Sequence, residues 1–266
     1  MSFQEQNLNG VVYMTTSTIG AAHCFTTRWG GVSRGIYESL NLAENREDDE
    51  DAVRENYERI CSAIHVDMHS LVFSNQVHGD TIRHVTGGDI HTLFTPVPYE
   101  ADSLITDETD LPLIIFTADC VPILLWDGVR GAVAAVHAGW RGTALDIAGK
   151  TVLRMEDEFG CRPENLRAAI GPCISACCFE TDEDVPEAMR KELGVVADRF
   201  IGHRPGGKFT VDLKAVNAFL LRRAGLDGDR IDVSSECTAC KCDKYWSHRK
   251  SNGLRGSQAA IIMLKG

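Results

Sequence analysis

The sequence predicts an α+β fold, in which packed mixed β-sheets are flanked by helices, and three observations carry that expectation. Apolar strand-like runs cluster, with "PLIIFTADC", "VPILLWD" and "RGAVAAVHAG" following one another without a helix between them. Amphipathic helical segments lie before and after that cluster instead of alternating strictly with strands, which argues against a doubly wound sheet. The chain has 266 residues, 44% of them apolar, with the apolar runs spread evenly, which suits a single domain over residues 1–266. No repeat, low-complexity segment or Pro/Gly/Ser linker breaks it.

Taken in order, "AAHCFTTRWGGVSRG" reads as a strand entering a glycine turn. "EDAVRENYERICSAI" is an amphipathic helix, with Ala52, Val53, Asn56, Tyr57, Ile60 and Ile64 near helical spacing. "LVFSNQVHGD" and "TIRHVTGG" read as two short strands joined at Gly79-Asp80, which places His78 at an exposed strand end. The three central runs put Cys120 and His137 at strand termini. "TALDIAGKTVLRMEDEFG" carries Leu145, Ala148, Val152, Met155 and Phe159 on one helical face, with Thr143 as N-cap and Gly160 just past the end. A helix starting there aims its free N–H groups toward His137. "LRAAIGP" is a further strand, "DVPEAMRKEL" and "LKAVNAFLLRRAG" are helices, and "RGSQAAIIML" closes the chain as a strand.

Charge narrows the function. A net charge of -11 repels polyanions, so a nucleic-acid surface or an anionic-membrane surface is not expected. No apolar run reaches the length that spans a bilayer, and "MSFQEQNLNG" lacks the regions of a signal peptide, so a cytoplasmic protein acting on small molecules is expected.

Ten cysteines in a reducing compartment are read as thiols, ligands or nucleophiles. Cys24, Cys61 and Cys161 have no polar partner nearby in sequence and read as buried small hydrophobes. His78, Cys120 and His137, all at strand ends beside glycines, form a set that holds zinc with three protein ligands and leaves a fourth position open for catalysis. The long intervals between them are not a zinc-finger spacing, and a core thiol with two unrelated surface histidines is the plainer alternative. A second chemistry makes Cys120 a thiolate nucleophile and His137 its base. Copper oxidation is a third, but a multicopper centre needs many imidazoles, and the nine histidines here include no H-x-H pair.

Around the ligands, Gln76 shares a strand face with His78 and, with Asp119, is a candidate to orient an imidazole or a water. Asp119 faces away from Cys120 on a regular strand, so its role needs a bend there. Gly79 and Gly139 permit close backbone approach, and Trp140 reads as packing more than as a wall for a ring. "ECTACKCDKYWSH" offers Cys237, Cys240, Cys242 and His248, which by themselves read as a second metal site; structural or disulfide-prone thiols are the favoured reading, with Cys173, Cys177 and Cys178 as neighbours. His65 and His69 have helical i, i+4 spacing but no third ligand, and read as solvent-facing.

In that order, "TTRWGGVSRGIYESLNLA", "QVHG", "ADSLITD", "FTADCVPILLWD", "AAVHAGWRGT", "AIGPCISACCFE" and "ECTACKCDKYWSHRK" resemble the landmarks of the YfiH-type laccase-domain family. That family was long labelled polyphenol oxidoreductase and is now regarded as purine nucleoside phosphorylase. The resemblance runs from about Cys24 to Leu264, and "TADCVP" followed by "HAGWRG" is its most specific part. It implies a metal, usually zinc with copper as the other candidate, held by His78, Cys120 and His137. It also implies packed sheets flanked by helices, a fold shared with cysteine hydrolases, so a hydrolase or amidase acting on a cell-wall precursor through Cys120 and His137 stays as the alternative function. The implied activity is phosphorolysis of adenosine, inosine, guanosine and methylthioadenosine, with deamination of adenosine. Purine nucleosides and phosphate are the implied partners, and a homodimer is a candidate assembly.

Arg28, Arg141 and Arg249 lie in the matched motifs and are the candidates for a phosphate site, against the alternative of solvated surface arginines. Two stretches depart from the family's pattern. "SLNLAENREDDED" has Asn45 and Arg46 where a histidine or arginine is usual, which leaves open whether Arg46 supplies the basic contact, and "SNGLRGSQAA" leaves open the role of Arg255.

Overall fold

Side chains alternate along a strand, and in this chain the alternation decides which layer each residue joins. The computed structural model describes residues 3–266. An antiparallel five-stranded sheet runs in the order Phe3–Leu8, Val11–Thr16, Ala22–Thr26, Gln258–Met263, Leu113–Thr117. A mixed six-stranded sheet runs Ile231–Val233, Leu166–Ile170, Val121–Asp127, Ala132–Ala138, Ser103–Thr106, Ile82–His84, with a parallel pair at each edge. A small sheet joins Glu180–Thr181, Lys208–Val211 and Ile201–Arg204.

Phe25, Leu113, Ile115, Ala260 and Ile262 of the first large sheet pack directly on Leu104, Leu124, Val133, Ala135 and Ala169 of the second. The intervening residues point outward. Cys24, Ile114 and Ile261 meet Val53, Tyr57 and Ile60 of the helix Glu50–Ile64. Ile123, Leu125, Ala134, Val136 and Ala168 meet Val152, Met155, Met189, Val216 and Leu220 of the helices Ile147–Phe159, Asp184–Leu193 and Leu213–Arg223. The result is a helix, sheet, sheet, helix stack, the α+β arrangement expected. The strand Ala132–Ala138 has both faces covered and every residue buried, which explains its small and β-branched composition. Cutting a residue such as Leu124 to alanine would cost about 3 kcal/mol by the cavity it leaves.

Two local expectations are corrected. Gly79-Asp80 does not join a hairpin: Leu71–Asp80 makes only single bridges, Val72 to Leu113 and Asn75 to Glu100, while Ile82–His84 pairs in parallel with Ser103–Thr106. The helix after "HAGW" does not start at Thr143. A five-residue helix Trp140–Ala144 is followed by Asp146, whose left-handed backbone and side chain cap the helix Ile147–Phe159 by accepting from Gly149 N. Leu145 falls in the break between the two and is exposed. So short a helix aims no appreciable dipole at His137. Gly160 does end the longer helix, in the left-handed region. Among the described residues no helix is long and apolar enough to cross a membrane.

Candidate metal centre and its cavity

Strand register assembles the centre. Val121 pairs with Ala138 and Pro122 with His137, which brings Cys120 beside Gly139. His137 shares parity with Val133 and Ala135, so its ring points into the space between the sheets at their open end. On the other flank Ser103 pairs with Val136, and His137 N donates to Asp102 O at 2.7 Å. Cys120 itself lies where the chain passes from the Leu113–Thr117 strand of one sheet to the Val121–Asp127 strand of the other. Asp119 makes that crossing with a φ of 92°, which supplies the bend.

The donor atoms of His78, Cys120 and His137 all lie within 4.8 Å of one another, with His137 buried, Cys120 half-buried and His78 exposed to the cavity. The two imidazoles meet edge to face, ring centres 4.8 Å apart. One soft sulfur and two imidazole nitrogens, converging with one side open, suit a tetrahedral cation with a free fourth position. Two glycines make room for the set. A Cβ on Gly139 would stand 2.9 Å from His78 Cδ2, and one on Gly142 would stand 2.8 Å from the carbonyl oxygen of Gly79.

Asp102, which the sequence reasoning did not single out, holds the arrangement together. Its Oδ1 lies 2.7 Å from His137 Nδ1 and accepts His78 N at 3.0 Å, while Oδ2 accepts Val77 N at 3.2 Å and Gly79 N at 2.8 Å. One buried carboxylate thus fixes His137 and bends the His78 backbone into the left-handed region, φ 61°. Burial alone would raise its pKa, but the bonds from His137 and the Gly79 amide hold it below the ordinary carboxylate value. With Nδ1 turned to Asp102, His137 presents Nε2 to Cys120. Burial works against ionising either group, yet attraction between them prevails: the Cys120 thiol falls to about 6 and the His137 imidazole rises to about 9. Without a metal this is a thiolate and imidazolium pair.

The centre opens into a cavity of about 840 Å³, in the size range of small-molecule sites. Phe73, Phe94, Phe116 and Phe179 give it apolar walls, and Arg46, Arg141, Arg249, Arg255 and His248 give it a cationic one. Trp140 borders the cavity, carries the Arg141 guanidinium 4.2 Å above its ring, and also packs on the helical core. Arg255 donates through Nη1 to Gly256 O and Ser257 Oγ, but its buried Nε has no partner. Burial, then Arg46, disfavour the Arg255 charge; burial, then Arg255, with Arg46 and Arg249 adding to them, lower the His248 pKa. Such mutual repulsion is relieved by an anion.

Three expected roles change. Arg28 stands away from the cavity: its Nε donates to Glu38 O and its Nη1 to Cys242 O, and the guanidinium stacks 4.0 Å above Trp246. Gln76 lines the cavity, but both ends of its amide are used on the Phe116 backbone, at 2.8 Å and 2.7 Å, so it ties the His78 segment to the neighbouring strand and does not orient an imidazole. The Asp119 carboxylate turns to Thr238 Oγ1, Ser247 Oγ and Arg249 N, where it anchors the loops behind the cavity. Arg249 is where expected, although its Nη1 already donates to Cys178 O and Glu180 O.

Fold and site together define a class: a double-sheet α+β protein with a Cys/His/His centre at the sheets' open end, facing a cationic cavity wall. The chain belongs to the family described as multi-copper polyphenol oxidoreductase laccase, which it matches over residues 22–265. It is 34% identical over 248 residues to the purine nucleoside phosphorylase YlmD of Bacillus subtilis, covering 91% of this chain and 87% of that one. Among solved structures, YlmD of Geobacillus stearothermophilus superposes with a TM-score of 0.93 at 33% identity, covering 100% of this chain and 99% of that one. The hypothetical protein YfiH of Bacillus licheniformis also superposes with a TM-score of 0.93, at 34% identity and 99% coverage of both chains.

Proposed function

We propose that this protein is a zinc-dependent purine nucleoside phosphorylase that splits adenosine, inosine, guanosine and methylthioadenosine with phosphate, and that the same centre deaminates adenosine. The observation that carries the reading is the joining, in one cavity, of the His78, Cys120, His137 set with the arginine wall that holds the unpartnered Arg255 Nε. The names of the relatives support it. A donor set with only two imidazoles suits a single zinc ion better than a multicopper centre.

In phosphorolysis a phosphate oxygen bonds to ribose C1′ as the bond from C1′ to the purine nitrogen breaks, and the purine leaves with the electron pair and takes up a proton. Arg46, Arg141, Arg249 and Arg255 neutralise and orient the phosphate, and Phe73, Phe94 and Phe116 give the base an apolar slot. Asp102 keeps the Nδ1 proton of His137 in place, so that Nε2 remains a ligand. A zinc ion held by His78, Cys120 and His137 would supply positive charge in the cavity and would lower the pKa of a water toward neutrality, the chemistry that deamination requires. The test is to incubate metal-loaded protein with each nucleoside and phosphate. Free base and ribose 1-phosphate (its 5-methylthio form from methylthioadenosine) should appear in equal amounts, and no phosphate-dependent product from any of them would reject the reading.

A specific observation favours one rival. Asp102, His137 and Cys120 form a carboxylate, imidazole, thiol series with an ionised thiol in the metal-free protein. As a nucleophile Cys120 would keep turnover after chelation and lose it on alkylation; as a ligand it loses turnover on chelation and regains it with zinc.

A further inference from the structure

Behind the cavity wall the chain gathers a second group of cysteines that the nucleoside reading does not use. The sulfurs of Cys177, Cys178, Cys237 and Cys240 all lie within 4.8 Å of one another. Cys177 and Cys178 are 3.6 Å apart, Cys177 and Cys240 3.6 Å, and Cys178 and Cys240 3.4 Å. A disulfide would need about 2.05 Å. Four sulfurs bound tetrahedrally at about 2.3 Å from one ion stand roughly 3.8 Å apart; the separations among Cys177, Cys178 and Cys240 are close to this, and Cys237 lies within 4.8 Å of each. All ten cysteines are free thiols. Cys242 and His248, candidates from the sequence, and Cys173 are not in the set.

The location explains what an ion would do there. The four ligands come from two largely irregular loops, 171–179 and 234–247, and the apolar cluster where they meet is small: Ile174, Cys237 and Ala239, with Cys178 and Phe179 against them. Tyr245, Trp246 and Cys173 anchor other parts of these loops in the main core, but where the four cysteines meet few apolar groups join the loops, and a metal there would cross-link them. Cys237 Sγ already accepts Ser175 N at 3.3 Å, the kind of amide contact that stabilises a thiolate. The loops matter to the cavity, because Ile174 and Phe179 line it, Thr238 bonds Asp119, and Arg249 is held by the Cys178 and Glu180 carbonyls.

We propose that Cys177, Cys178, Cys237 and Cys240 bind one zinc ion as a closed, four-sulfur structural site that staples these two loops together. No fourth position is left for water, so the site holds the cavity wall and takes no part in turnover.

The test uses the full chain carrying Cys120→Ala, which breaks the first centre, purified under reducing conditions and equilibrated with zinc. One zinc per chain is expected in C120A and essentially none in C120A/C240S, with C120A/C242S matching C120A as a neighbouring control. Cobalt in place of zinc should give C120A the thiolate-to-cobalt charge-transfer absorption of four sulfur ligands, a readout that does not depend on how well the C240S protein folds. C240S alone should keep one zinc, at His78, Cys120 and His137. Absence of bound zinc and of the cobalt band in C120A would overturn the proposal, as would unchanged zinc in C120A/C240S. So would a disulfide mapped within the four cysteines of reduced, zinc-equilibrated protein.

Discussion

The Asp102 carboxylate lies 2.7 Å from His137 Nδ1 and accepts the amides of Val77, His78 and Gly79, so one buried side chain sets the ring of one candidate ligand and the backbone of another. Asp102→Asn keeps the shape but replaces an acceptor with an amide that cannot serve all four donors. Zinc affinity at the first centre should fall roughly 10- to 100-fold, measured by chelator competition. Unchanged affinity would show that His137 needs no such orientation.

Gly139 separates metal binding from folding. In Gly139→Ala the new methyl stands 2.9 Å from His78 Cδ2, and the exposed His78 ring can swing away. Zinc affinity should drop by about tenfold or more while the melting temperature changes little. In Gly142→Ala the clash is with the Gly79 carbonyl, a backbone atom that cannot turn aside, so stability should suffer as well. Equal effects of the two substitutions on both quantities would contradict this geometry.

The Cys120 thiol at about 6 and the His137 imidazole at about 9 give a pH signature to the metal-stripped protein. The rate of Cys120 alkylation by iodoacetamide, followed by peptide mapping, should rise through pH about 6 and then level off, while ordinary thiols are still gaining rate at pH 8. In His137→Phe the attraction is gone and burial acts with less opposition, so the midpoint should move up. A midpoint for the parent near that of a free thiol would remove the ion pair.

Glu236 anchors the loop that carries Cys237, bonding Lys241, Tyr245 and, at 2.9 Å, the buried Lys244. Burial alone would raise its pKa, but Lys241, Tyr245 and Lys244 bring it down to about 2. A carboxyl held below its unfolded value of about 4.5 stabilises the fold fully above that pH and loses the contribution as pH falls toward about 2. Urea unfolding should show Glu236→Gln less stable by about 2 kcal/mol at pH 7, with the gap closing by pH 3 to 2. A gap that stays constant with pH would show that the charge is not the source.

Local pattern made most of the elements and the three clustered donors legible. The helix Glu50–Ile64 and the closing strand Gln258–Met263 follow from periodicity that tertiary packing does not override. Asp102 stayed hidden although it lies in "ADSLITD", because its importance comes from the pairing of Ser103 with Val136, and cross-strand register is not written in local sequence. The same carboxylate captures the amides of 77–79, which is why the Gly79-Asp80 turn signal did not make a hairpin. Arg28 misled for a related reason: its motif is real, but its guanidinium bonds main-chain carbonyls and stacks on Trp246.

The two arginines differ in what their guanidinium groups bind. Arg255 reaches the cavity with a buried, unpartnered Nε beside other cations, whereas the Arg28 guanidinium is satisfied elsewhere. A charge-assisted bond to phosphate contributes about 1.5–3 kcal/mol, which corresponds to roughly 10- to 100-fold in affinity. In Arg255→Met the KM for phosphate should therefore rise by about that factor, with the KM for nucleoside changed much less. Arg28→Ala should lower stability by about 1–2 kcal/mol through the lost stacking and carbonyl bonds, and leave the phosphate KM where it was. Because Arg255 also bonds Gly256 and Ser257, the melting temperature of Arg255→Met must be measured beside its kinetics. A folded Arg255→Met protein with an unchanged phosphate KM, or an Arg28→Ala protein with a raised one, would move the anion site away from this wall.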